Sequence, residues 1–134
     1  MKYLLDTNVL SDFARGEPAV MARLRQEAPA QLATSVITEM EVEYGLERNP
    51  SLAPRLRQVM RLLLSTIQVL PFEREDARVA AQLRATLNSR GMPIGAYDLL
   101  LAASALRRGL SIVTHNTSEF ARVSGLGLED WRAP

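Results

Sequence analysis

The chain has no cysteine, one histidine, one lysine and few aromatic residues. Each shortage removes a class of chemistry. Without cysteine there is neither a disulfide framework nor a thiolate metal site. With His115 as the only histidine, a His-rich zinc centre is excluded and a Ser-His-Asp triad is disfavoured. Lys2 is the only lysine, so the late lysine of a phosphorylated receiver domain and the Gly-Lys-Ser/Thr of a P-loop are both missing. Long apolar runs are missing too. The strongest, Leu99 to Leu106, is interrupted by Ser104 and is far too short to span a bilayer. Asp6 breaks the first apolar run too early for a signal peptide. Charge of one sign is not in excess, with 16 basic and 15 acidic side chains, so net charge names no partner. A cytoplasmic enzyme or binding domain, without a membrane role, is the expectation.

What is present is an ordinary globular balance: 134 residues, 47% hydrophobic and 23% charged. That predicts one domain, residues 1–134, with room for a core. Short apolar strands are predicted at 2–5, 31–35, 67–72 and 110–116, with an edge strand in "LGLEDW" near the end. Helices are predicted at 7–15, 18–28, 38–47, 53–65, 74–89 and 97–108, and a short one in "TSEFARV" capped by Thr117 or Ser118. The first helix shows Val9, Leu10 and Phe13 on one face, the fourth Leu56, Val59, Met60 and Leu63, and the fifth Ala77, Ala80, Ala81, Leu83 and Leu87. Strands alternate with helices, and the strands are apolar throughout rather than on every second residue. That pattern predicts an α/β fold with a small, mainly parallel sheet covered on both faces. In such a sheet, ligands bind beyond the carboxyl ends of the strands.

Asp6, Thr34-Ser35 and Thr114-His115-Asn116 all stand at such ends. Each acidic candidate also has a plain structural explanation. Asp6 suits an N-cap. Thr38 and Glu41 have the spacing of a capping box, with Ile37 and Val42 as its hydrophobic staple. Asp98 falls in a first helical turn, where negative charge meets the positive end of the dipole. Asn116 suits a turn, and Glu119 a solvated helix. Jointly these explanations weaken, because all the segments converge on one sheet edge. Clustered carboxylates raise one another's pKa and call for a cation. An all-oxygen set without His or Cys selects magnesium or manganese over zinc. Such a pocket suits phosphate chemistry. Glu39 and Glu43, about 200° round the helix from Glu41, read as surface charges. Gly45, one turn after Glu41, opens the same face to backbone or substrate. Tyr97 suits either base stacking or, preferably, half-buried packing, and His115 is too isolated to be a ligand.

The segments "LLDTNVL", "ITEMEVEYG", "IGAYDLLLAASAL" and "IVTHNTSEFARVSGLGLEDW" together resemble a PIN domain, specifically the VapC-type ribonuclease toxins of toxin–antitoxin pairs. The resemblance spans essentially the whole chain. It implies a three-layer α/β/α sandwich and hydrolysis of RNA to 3′-hydroxyl and 5′-phosphate ends, with Mg2+ as cofactor and Mn2+ able to substitute. It implies a small VapB-like antitoxin as partner, with DNA contact only through that antitoxin. The small sheet and apolar helices leave surface to bury in a homodimer, or in a hetero-oligomer with the antitoxin. Residue by residue, the resemblance assigns Asp6, Glu41 and Asp98 as catalytic metal ligands, with Thr7, Asn8 and Thr114 in support. Asn116 stands where many of these domains carry aspartate, so either Asn116 or Glu119 completes the site. That departure keeps open a second reading, a catalytically weak PIN-like module that binds RNA or protein. A phosphatase with an aspartyl nucleophile is disfavoured, because it needs an acid at position 8.

Overall fold

The computed structural model describes residues 1–51 and 54–132. Five strands form one sheet: β1 (Tyr3–Leu5), β2 (Leu32–Ser35), β3 (Gln68–Leu70), β4 (Ser111–Val113) and β5 (Gly127–Glu129), in the order β3-β2-β1-β4-β5. Every pairing is parallel, so the mainly parallel sheet predicted from sequence is wholly parallel among the described residues. Between the strands lie α1 (Thr7–Ala14), α2 (Pro18–Gln26), a 3₁₀ turn (Pro29–Gln31), α3 (Val36–Arg48), α4 (Pro54–Thr66), α5 (Arg74–Ser89), α6 (Ala96–Arg108) and α7 (Thr117–Phe120).

Alternate strand residues point to opposite faces, and both faces are covered. Tyr3, Leu5 and Val113 join Val9, Leu10, Val20, Val42, Met60 and Leu63 beneath α1 to α4. Leu4, Ala33 and Ile112 join Leu87, Leu101, Ala105 and Phe120 beneath α5 to α7. Two cores on one sheet make the three-layer α/β/α sandwich expected from the sequence. The sheet order also locates the functional edge. The chain runs outward from β1 to β3, then returns to lay β4 against the other side of β1. The reversal opens a crevice between the carboxyl ends of β1 and β4, which carry Asp6 and Thr114.

Local chemistry sets most element ends. Pro18 occupies the first turn of α2, and the Glu17 carboxylate accepts from the Val20 N–H at 2.8 Å. Gly109, in the left-handed region at φ 68°, ends α6. Four expectations need correction. Helix α3 starts at Val36, not Thr38, because the Ser35 hydroxyl accepts from the Ile37 N–H at 3.0 Å and caps the helix a turn earlier. In α1, Asp12 is buried at 1% exposure while Phe13 is only partly covered, since ionic partners from the chain's far end enclose the acid. In α5, Ala77 and Ala81 are exposed and Asp76 is buried instead, paired with Arg107 and Arg108 of α6. Asn116, rather than Thr117 or Ser118, occupies the N-cap position of α7. The predicted start of the fourth helix at Ala53 lies outside the described residues. Among those residues no helix is long and apolar enough to cross a membrane.

Candidate active site

Asp6 is the first residue after β1 and the N-cap of α1, so both roles read from the sequence meet in one side chain. Its Oδ1 accepts from the Thr7 N–H at 2.7 Å, and its Oδ2 accepts from the Thr114 hydroxyl at 2.8 Å and the Asn8 amide at 3.3 Å. At 6% exposure, burial pushes its carboxyl upward, against those hydrogen bonds. The parallel β1–β4 pairing is what brings Thr114, more than a hundred positions away, into reach. Asn8 ties the corner together: its amide donates to Thr114 Oγ1 at 3.3 Å, and its carbonyl oxygen accepts from the His115 N–H at 3.3 Å.

Glu41 projects from α3 beside this corner. The Thr7 hydroxyl donates to its Oε1 at 3.2 Å. With the helix starting at Val36, Glu41 falls past the first turn, so capping does not account for it. Thr38, its supposed cap partner, is buried with its hydroxyl unpartnered among the described residues. Burial raises the Glu41 pKa and nearby Asp6 adds to the rise, while the Thr7 hydrogen bond opposes it. Gly45 and Glu41 line one cleft of about 370 Å³ with Thr7, and nothing fills the space a Cβ at Gly45 would take. Glu43 pairs with Arg61 at 3.3 Å on the outer side of α3, as expected of a surface charge.

Asp98 lies in the first turn of α6, and Asn116 links it to Glu119. The Asn116 amide donates to Asp98 Oδ2 at 3.2 Å and to Glu119 Oε2 at 2.8 Å. Glu119 Oε1 also accepts from the Gly95 N–H at 2.5 Å. Burial, then the charges of Asp6, Glu119 and Glu41, push the Asp98 carboxyl up to about 6. Glu119 moves the other way, held down by the Asn116 amide and the Gly95 N–H. Acids from four segments therefore feel one another at Asp98, although among the described residues no three of them form a ready-made coordination shell. Asn116 and Glu119 are thus joined by a hydrogen bond, one a neutral donor and the other an anion.

Tyr97 is half-buried, at 50% exposure, as expected. His115, the only histidine, holds its ring between the carboxylates of Asp12 and Asp130. Sequence reading passed over Gly95. A Cβ there would meet Glu119 Oε1 at 3.5 Å and Asp98 Oδ2 at 3.6 Å, so a small residue keeps this edge open. The available signal was a glycine placed directly before a helix that opens with an acid.

The donor set is entirely oxygen, anionic, and concentrated at the crevice where an α/β sheet takes its ligand. That composition fits a hard divalent cation and fits zinc poorly. Residues 3–126 match the family model for the PIN domain. The chain is 37% identical to the tRNA(fMet)-specific endonuclease VapC of Shigella flexneri, over 98% of each chain. It is 33% identical to ribonuclease VapC2 of Haemophilus influenzae, again over 98% of each. The fold superimposes on the DNA-bound VapBC complex of Salmonella typhimurium with a TM-score of 0.87 and 36% identity, covering 98% of both chains. On VapBC2 of Rickettsia felis, bound to a promoter DNA fragment, the TM-score is 0.88 at 28% identity, covering 98% and 99%. The chain belongs to the PIN-domain family, and within it stands with the VapC ribonucleases.

Proposed function

We propose that this chain is a divalent-metal-dependent endoribonuclease whose toxicity a small antitoxin silences. The observation that carries the reading is the coupling at Asp98. Burial first, and then the carboxylates of Asp6 after β1, Glu119 on α7 and Glu41 on α3, raise its pKa, an arrangement that is unfavourable until a cation enters. Asp6 and Asp98 would hold Mg2+, or Mn2+ in its place, with Glu41 close by. When bound, the ion supplies positive charge against the phosphate oxygens and acidifies water. The chain's own residues do the rest. Thr114 and Asn8 fix the rotamer of Asp6. Thr7 occupies one oxygen of Glu41 and leaves the other free to take a proton from the attacking water. Asn116 holds Asp98 and Glu119 in register.

With water attacking the phosphorus and the P–O3′ bond breaking, the 3′-oxygen leaves and takes up a proton, and the products are 3′-hydroxyl and 5′-phosphate ends. The ribose 2′-hydroxyl takes no part, so selection of RNA rests on kinship with the VapC ribonucleases. The Shigella relative's name makes a tRNA the first substrate to test. The weaker reading, a depleted binding module, rested on Asn116, and Glu119 restores a carboxylate beside that position. Incubating labelled RNA with and without EDTA tests the proposal: cleavage that persists in EDTA refutes it.

The partner follows from a second feature. An apolar cleft of about 640 Å³ lies between α1, α2 and α4, lined by Phe13, Met21, Leu56, Val59, Leu62 and Leu63. Ala14, Arg15 and Leu56 also line the cleft that reaches Glu41. An extended antitoxin segment would bury apolar side chains in the first cleft and send a basic side chain along the second to the acids. Solved relatives are toxin–antitoxin complexes, some bound to DNA, so DNA contact is assigned to the antitoxin. The homodimer expected from the sequence has a suitable surface in Val36, Met40 and Tyr44, an exposed stripe at four-residue spacing along α3.

A further inference from the structure

Asp12, the one acid within α1, is 1% exposed, and the proposed chemistry does not use it. It faces three cationic or hydrogen-bonding groups. Arg132 reaches it with two nitrogens, Nη2 on Oδ1 at 2.5 Å and Nε on Oδ2 at 2.7 Å. Arg15 approaches Oδ1 at 3.3 Å. The Nε2 of His115 meets Oδ2. The other ring nitrogen of His115 meets Asp130 at 3.0 Å, and Asp130 in turn accepts from the Arg132 N–H at 3.0 Å. Trp131 between them is 4% exposed and packs edge-on against Tyr3 at 5.3 Å, with the Arg23 guanidinium over both rings.

His115 stands between the two residues that organise the acidic edge. Thr114 before it bonds Asp6, and Asn116 after it bonds Asp98 and Glu119. Its own N–H bonds Asn8. The ring, held between two carboxylates, ties the backbone on either side to Asp12 and Asp130. We propose that segment Asp130–Arg132 is a positioning latch: through Asp12 and His115 it fixes the Thr114–Asn116 corner, and so sets the geometry of the carboxylates that take the metal. The segment lies beyond residue 126, where the match to the general PIN domain ends. A bidentate guanidinium on a buried carboxylate is rigid and directional, which suits a positioning contact better than a lysine would. The inference rests on the metal-dependent nuclease reading.

The test compares the full-length chain with Arg132→Gln, Arg132→Lys and His115→Asn. The His115 variant leaves the Asp12–Arg132 pair intact and cuts only its link to the corner. Manganese(II) binding is read from the free-ion EPR signal at a temperature where circular dichroism shows each variant folded, and cleavage is measured per folded molecule. Arg132→Gln and His115→Asn should weaken manganese binding about ten- to a hundredfold and lower kcat similarly, the range typical of residues that orient metal ligands. KM for RNA should not change, and Arg132→Lys should recover part of the loss. Should Arg132→Gln not fold, His115→Asn carries the test alone. Parental affinity and kcat in a folded His115→Asn would overturn the latch. If the parent itself neither binds manganese nor cuts RNA, the nuclease reading fails instead.

Discussion

Asp98 carries the clearest electrostatic signature in the molecule, and its sign can be worked through. Its pKa is raised in the fold, to about 6, so the folded metal-free protein takes up a proton more readily than the unfolded chain does. The group therefore costs stability above that value and less as pH falls toward its ordinary range. Asp98→Asn should raise the melting temperature in EDTA at pH 7, and the gain should vanish near pH 4. Asp6→Asn, Glu41→Gln and Asp98→Asn should each abolish cleavage in a folded protein. Glu119→Gln should slow cleavage about ten- to a hundredfold and raise the magnesium concentration needed, as expected of a charge beside the ligands. Asn116→Asp removes the donor shared by Asp98 and Glu119 and adds a charge. It should lower stability in EDTA and widen the melting gap between EDTA and magnesium; an unchanged gap would make Asn116 a mere turn residue. Asp6, Asp98, Asn116 and Glu119 could be placed at one sheet edge from the sequence because each lies at or within a turn of an element's end, whereas Glu41, the sixth residue of α3, was drawn in by the family resemblance. Asp12 and His115 were not legible, because the partners that explain them lie more than a hundred positions away along the chain.

Among the elements, α3 shows how one hydroxyl decides a reading. Ser35 and Thr38 are both cap-type residues, and only Thr38 has an acid three residues on, yet the end of β2 at Ser35 settles that Ser35 caps. The sequence pattern placed every other described helix start within a residue or so, because proline, glycine and acidic turns mark them. The apolar cleft against α4 leaves Leu62 67% exposed. Leu62→Glu should leave RNA cleavage intact and stop the antitoxin from co-purifying and from restoring growth; capture at parental levels would place the antitoxin elsewhere. Tyr44→Glu, on the opposite stripe of α3, should shift the chain toward monomer in sedimentation without affecting the cleft. The Asp12 cluster sets a separate acid limit. Burial opposes ionisation of Asp12, but Arg132 and His115 hold its pKa down to about 2. That stabilisation, on the order of 2 kcal/mol, is complete above about pH 4 and is lost as pH falls through about 2.

At the scale of the whole molecule, function depends on strand order. Alternating elements and doubly apolar strands made the parallel three-layer fold readable, but nothing local specifies β3-β2-β1-β4-β5. That order comes from pairing β1 with β4 across the reversal, which brings Thr114 to Asp6 and thereby Asn116 to Asp98. The carboxylates gathered at this reversal are proposed to hydrolyse RNA with a divalent metal. The decisive measurement is the end chemistry of a labelled tRNA cut by the purified chain, in magnesium and in EDTA, with Asp98→Asn alongside. Expected are 3′-hydroxyl and 5′-phosphate ends in magnesium only, and none from the variant. Cyclic 2′,3′-phosphate ends, or equal cleavage in EDTA, would contradict that proposal.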